Sequence, residues 1–297
     1  MKHTPILLST LCVLALVAFA ANVHADDSDT KSPAPKTIKT TDGRELKLVW
    51  ADEFNGEGLP DPKFWSYEVG YIRNNEAQYY TDARLENIFQ KDGVLTIRTL
   101  KEKYDIEGRP NAQGRKTADY TSAAIETLGK ASWQYGRVDV RAKLPKGKGI
   151  WPAVWMMGDN IKTVGWPGCG EIDIMEYVGH TPYRAHATIH MRKKGGERWH
   201  NVSKGSSLLL DKPGERPEET FHVYSLEWTK DQLLLLVDNT VVLEFNRSEE
   251  EPKTPEWPFD QPCFIILNTA IGGAWGGEIA DDTCPTDFLI DYVRVYQ

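Results

Sequence analysis

Apolar and polar side chains alternate with a period of two along much of this chain, and no stretch shows a convincing amphipathic-helix period. A period of two sends successive side chains to opposite faces of a strand, so one face can be buried while the other meets solvent. The alternation is clearest at residues 46–50, 94–100, 136–142, 185–191, 221–228 and 288–295. Residues 233–237 and 241–245 flank Asp238-Asn239-Thr240, a composition that predicts a hairpin turn. Many short strands separated by Gly- and Pro-marked turns must bury their apolar faces against one another, which predicts an all-β sandwich. No internal repeat is visible, and a domain of about 250 residues is an acceptable size for one sandwich.

The N-terminal segment falls outside that domain. Lys2 and His3 precede an apolar run over residues 6–21, and Val23-His24-Ala25 offers a cleavage site. Residues 1–25 therefore read as a secretory signal cleaved near Ala25, with an apolar core short for a membrane span. Residues 26–41 are polar with two prolines and no apolar period, and read as a disordered leader before a domain at 42–297. The 297-residue chain has a net charge of −8, and loss of residues 1–25 removes Lys2 and no acid. Such an acidic chain is a poor partner for nucleic acid or anionic lipid, and suits a secreted, monomeric protein with a neutral ligand. Beyond the signal, three cysteines remain: Cys169, Cys263 and Cys284. If a disulfide forms, Cys263 and Cys284 are the expected pair, both lying in the C-terminal region, and one thiol is left over. Cys169 precedes Glu171 by two residues, but no histidine is tied to it, and packing is the expected role.

One strand-like run carries three acids. Gly170-Glu171-Ile172-Asp173-Ile174-Met175-Glu176-Tyr177 places Glu, Asp and Glu among apolar residues, where acids are normally depleted. Glu171 and Asp173 share a face, whereas Glu176, five residues from Glu171, should point the other way. An extra residue at a β-bulge near Ile174-Met175 would return Glu176 to the shared face, and bulges are frequent beside active sites. A carboxyl pair of this kind serves glycosidic-bond cleavage. Calcium binding and a solvated strand face are the competing readings of the spacing.

The neighbouring segments decide among these. Gly-Glu-Ile-Asp-Ile-Met-Glu resembles the signature of family-16 glycoside hydrolases in the bulged form of the laminarinase-like branch. Upstream, residues 50–56 (Trp-Ala-Asp-Glu-Phe-Asn-Gly) and 74–81 (Asn-Asn-Glu-Ala-Gln-Tyr-Tyr-Thr) are similar to that family's opening segments. Residues 151–158 (Trp-Pro-Ala-Val-Trp-Met-Met-Gly), 267–273 (Leu-Asn-Thr-Ala-Ile-Gly-Gly) with Trp275, and 291–296 (Asp-Tyr-Val-Arg-Val-Tyr) complete the pattern in order.

The resemblance implies a two-sheet jelly roll of the concanavalin-like class with a concave substrate cleft. It implies hydrolysis of internal β-1,3 bonds of a neutral β-glucan such as laminarin, with mixed β-1,3-1,4 glucans open. Glu171 would be the nucleophile of a retaining mechanism, Glu176 the acid and then the base, and Asp173 the residue that orients Glu171. No cofactor is implied for catalysis. Trp151, Trp155 and Trp275 would offer flat faces to sugar rings, and Trp275, between Gly272-Gly273 and Gly276-Gly277, suits a loop platform. Asn75 and His190 match positions that contact sugar hydroxyls. Glu53, Gly93 and Asp291 match those that hold a structural calcium in many relatives. Galactan hydrolysis and non-hydrolytic glucan binding are the alternatives within the same fold, and the three acids weigh against the second.

Overall fold

The computed structural model describes residues 31–195, 198–247 and 257–297, so the signal at residues 1–25 and the start of the leader lie outside the described residues. In chain order the strands begin with β1 (Thr37–Lys39), β2 (Glu45–Asp52), β3 (Ser66–Tyr67), β4 (Gln78–Tyr80), β5 (Ile88–Lys91) and β6 (Val94–Asp105). β7 (Thr117–Ser122), β8 (Ala124–Glu126), β9 (Gly136–Lys143), β10 (Ile150–Gly158), β11 (Glu171–Glu176) and β12 (Arg184–Gly195) follow. The last six are β13 (Arg198–Leu209), β14 (His222–Trp228), β15 (Gln232–Val237), β16 (Thr240–Asn246), β17 (Cys263–Ile271) and β18 (Thr286–Tyr296). Short helical turns occur at Ile161–Val164 and Gly273–Gly276.

Two sheets result. The larger, of eleven strands, runs β16-β15-β14-β9-β18-β6-β7-β4, with β2 and β1 added beside β18 and β5 beside β6. The smaller, of seven, runs β13-β12-β11-β10-β17-β8-β3. The alternation explains how they pack. In β9, Val138, Val140 and Ala142 enter the core while Arg137, Asp139 and Arg141 take the opposite face. In β10, Ile150, Val154 and Met156 enter the same core, and Ala153 and Trp155 join Phe264 and Ile266 in a separate cluster on the other face. The β15–β16 hairpin turns on Asp238 (φ 47°) and Asn239 (φ 64°), the paired left-handed residues of a type I′ turn.

The leader departs from expectation. Its last part is structured: Thr37–Lys39 pairs antiparallel with β2, and Thr41 gives its backbone N–H and hydroxyl to Glu227. An edge strand is held by backbone hydrogen bonds, so a polar segment with no apolar period can still form one. Among the described residues, no helix is long and apolar enough to cross a membrane.

Candidate active site

The acid-bearing strand, β11, lies inside the smaller sheet between β10 and β12. It starts at a constrained point. Gly170 has φ 76°, and a Cβ there would lie 2.8 Å from the Phe259 ring, so only glycine fits before Glu171. Against β10, Trp155 faces Asp173, but the next residue back, Val154, faces Met175. Ile174 is therefore an extra residue. On β12 the same step appears, with Thr188 opposite Asp173 and His186 opposite Glu176. Ile174 and Met175 both turn into the core, and Glu176 returns to the face of Glu171 and Asp173. The three acids line one cleft together with Arg73, Asn74, Glu76, Trp151, Ala153, Trp155 and Asn268.

The acids stand in different surroundings. Glu171 is half-buried, and the exposed Trp166 donates its indole N–H to Glu171 Oε2. Asp173 is almost fully buried and its carboxyl is pushed well above the usual range, by burial first and then by the charges of Glu171 and Glu176 and a hydrogen bond with Glu171. Glu176 is buried too. Burial raises its pKa to about 7; the Trp151 indole N–H, 3.0 Å from Oε1, opposes the rise, and the Glu171 charge adds to it.

His190 sits opposite Glu171 on β12, in mid-strand rather than at the strand end expected from the alternation. Its Nε2 lies 3.2 Å from Asp173 Oδ2 without hydrogen-bond geometry, while Nδ1 is 2.6 Å from Ser203 Oγ. The ligand atoms of Glu171, Asp173 and His190 lie within 4.8 Å of one another. Burial favours the neutral form of Asp173, whereas ligand carboxylates bind metal deprotonated.

The tryptophans divide. Trp151 and Trp275 are half-buried, with ring centroids 5.5 Å apart edge to face, and His186 packs on Trp275 at 5.0 Å. Trp155 is different. It is 6% exposed, donates to Asn268 Oδ1 at 2.8 Å, and carries the Arg73 guanidinium 4.8 Å above its ring. It lines the cleft as part of the floor, so the expectation of an open sugar platform is corrected for this residue. Asn74, not Asn75, lines the cleft; Asn75 stands exposed beside it with φ 53°. Arg73, Glu76, Trp166 and Asn268 are cleft or cleft-edge residues that spacing did not single out as site residues. A faint signal existed for two of them, since Glu76 and Asn268 fall inside segments that resemble the family.

Cys169, Cys263 and Cys284 are free, so the Cys263–Cys284 pair that the sequence left open is not formed. Cys169 is buried, and burial holds its thiol up at about 11, consistent with packing. Glu53, Gly93 and Asp291 do come together, but around a side chain. The Glu53 and Gly93 carbonyls and the Asp291 carboxylate converge on the Lys31 ammonium.

A buried acid that keeps its proton near neutrality, beside a more open carboxylate on the same strand, is the pairing that glycosidic-bond cleavage uses. On a two-sheet β-sandwich it marks a glycoside hydrolase. The model for Glycosyl hydrolases family 16 matches residues 75–294, and the chain belongs to that family. It is 41% identical to a β-glucanase of Rhodothermus marinus over all of this chain and 95% of that protein. It superimposes on the laminarinase catalytic domain of Thermotoga maritima with a TM-score of 0.75 at 41% identity, covering 85% of this chain and 98% of that one. For the endo-β-1,3-glucanase of Pyrococcus furiosus the TM-score is 0.77 at 38% identity, with coverage of 89% and 98%.

Proposed function

We propose that this chain is a retaining endo-glycosidase that cleaves internal β-1,3 bonds of laminarin-like glucans. The observation that carries the mechanism is the bulge at Ile174, which sets a buried, proton-holding Glu176 on the same face as the more open Glu171. In the first step Glu171 attacks the anomeric carbon while Glu176 gives its proton to the departing glycosidic oxygen, leaving a glycosyl ester on Glu171. In the second, Glu176 takes a proton from water, the water oxygen attacks the anomeric carbon, and the Glu171 carboxylate is released. Asp173, whose burial favours its neutral form, is hydrogen-bonded to Glu171 and orients that carboxylate. Trp151 and Trp275 present apolar faces to the sugar, and Trp151 also steers Glu176 through its N–H. The glucanase and laminarinase relatives supply the linkage.

The test is product analysis on laminarin, lichenan, agarose and carrageenan, with the anomeric protons followed by NMR. Laminarin should yield oligosaccharides whose new ends appear first as the β-anomer. Cleavage confined to agarose or carrageenan would overturn the substrate, and α-anomers appearing first would overturn retention. Cleavage of lichenan as well would extend the activity to mixed linkages. The signal-like residues 1–25 support a secreted enzyme, which we propose acts as a monomer. Mass spectrometry of exported protein should find Asp26 at its start, and light scattering the mass of one chain.

A further inference from the structure

A hard cation at Glu53, Gly93 and Asp291 would be bound by oxygens that already have a partner. Lys31 Nζ lies 2.6 Å from the Glu53 carbonyl, 2.7 Å from the Gly93 carbonyl and 3.2 Å from Asp291 Oδ1. An ammonium has three donors, and here it meets three acceptors. The rest of the centre is committed as well. The Glu53 carboxylate accepts from Arg294 at 2.8 and 3.0 Å, and Asp291 Oδ2 accepts from Arg141 at 2.6 Å. Arg294 also donates to the Ser32 carbonyl at 2.7 Å, which pins the backbone next to Lys31. The site joins the end of β2, the β5–β6 turn and β18, segments far apart in the chain. Calcium takes six to eight oxygens at about 2.3–2.6 Å. Its donors are of the right kind here, but the ion cannot share the centre with Lys31.

We propose that Lys31 is a built-in replacement for a structural calcium ion, so that the ammonium and a divalent cation exclude each other at this site. A tethered ammonium needs no ion from the medium, and its binding costs only the ordering of a short N-terminal segment.

Thermal melting of the purified protein with Lys31 present, compared in EDTA and in millimolar CaCl2, gives the first test. The two melting temperatures should coincide, and a rise of several degrees with CaCl2 would overturn the proposal. The second test uses two variants. Lys31→Ala empties the centre, so it should melt roughly 2–4 °C lower in EDTA and recover most of that in CaCl2. Lys31→Met fills the space without charge, so it should melt lower and gain little from CaCl2. An alanine variant that melts like the parent in EDTA, or that stays low in CaCl2, would refute the exchange. These readouts are independent of glucan cleavage, so their failure and a failure of the assigned activity are distinguishable.

Discussion

Asp173 and Glu227 are each 2% exposed, yet the two sit in opposite electrostatic settings. Glu227, on the larger sheet, accepts from Arg137 at 2.7 Å and from the Thr41 hydroxyl at 2.6 Å. Arg137 also holds Asp139, and Arg141 holds Asp291, so every one of these buried acids has a cation against it. In the cleft, no lysine or arginine pairs with Asp173 or Glu176 among the described residues; Asp173 has His190 at 3.2 Å and a hydrogen bond with Glu171, and Glu176 accepts an indole N–H. Burial of a carboxylate without a counter-charge favours its protonated form, and burial with one favours a fixed ion pair. Burial alone therefore does not mark the reacting acids. The missing cation narrows the choice: among the described residues, buried Glu76 and Glu218 also accept only from neutral donors, and the strand face shared with Glu171 singles out Asp173 and Glu176.

This contrast can be broken at either end, and the largest effect belongs to the cleft. Glu171→Ala and Glu176→Ala should each lower turnover of laminarin by about 10⁴-fold or more, the upper range for removal of such a group, while the fold survives. With an activated substrate, azide should rescue Glu171→Ala to an α-glycosyl azide and Glu176→Ala to a β-glycosyl azide; the reverse pattern would exchange their roles. On the other sheet, Arg137→Met strands two buried acids and should cost about 3–5 kcal/mol of stability. Denaturant titration should register that loss while kcat/KM of the folded fraction stays at the parent value.

The tryptophans repeat the contrast on a smaller scale. Trp155→Ala removes a buried ring and should cost about 3–5 kcal/mol of stability. Trp275→Ala should leave melting near the parent value and lower kcat/KM about tenfold, equivalent to roughly 1.4 kcal/mol. The finest test is pH. Glu176 must carry its proton to act as acid, so kcat/KM should fall as pH rises through about 7. Folded Glu176 keeps that proton up to about 7, against an ordinary value of 4.5, so stability contributed below 4.5 is lost as pH rises between those values. Glu176→Gln should flatten that part of the melting-temperature profile. Trp151→Phe removes the donor that opposes the rise, and should move the alkaline limb upward by less than about one unit.

Much of this was legible before any coordinates, for a physical reason. Strands with one face in the core, such as β9, β14 and β18, announce themselves by alternation. β17 does not: Cys263–Ile271 is buried at every position, so the run has no polar face to set a period. β13 fails for the opposite reason, since Arg198–Leu209 is mostly polar and is held by its pairing with β12. Within the site, the carboxylate triplet and its bulge could be inferred because strand periodicity is local. Trp166 could not, because the loop before β11 brings its indole to Glu171 by a path that no period describes. Lys31 was the least legible of all. Its partners stand 22 and 62 residues away along the chain in two hydrogen bonds, and at Asp291 in the third contact.

The extra residue in β11 also decides where this strand can tolerate a change of length. Loss of one residue from an ordinary strand inverts every side chain beyond it, exchanging core for solvent. Loss of Ile174 would not. Glu171, Asp173 and the displaced Glu176 would then follow regular alternation and still share a face, with Met175 alone filling the place that Ile174 and Met175 now fill together. The bulge is thus the one point in β11 where an insertion or deletion spares the orientation of all three acids, and the price falls on core packing rather than on chemistry.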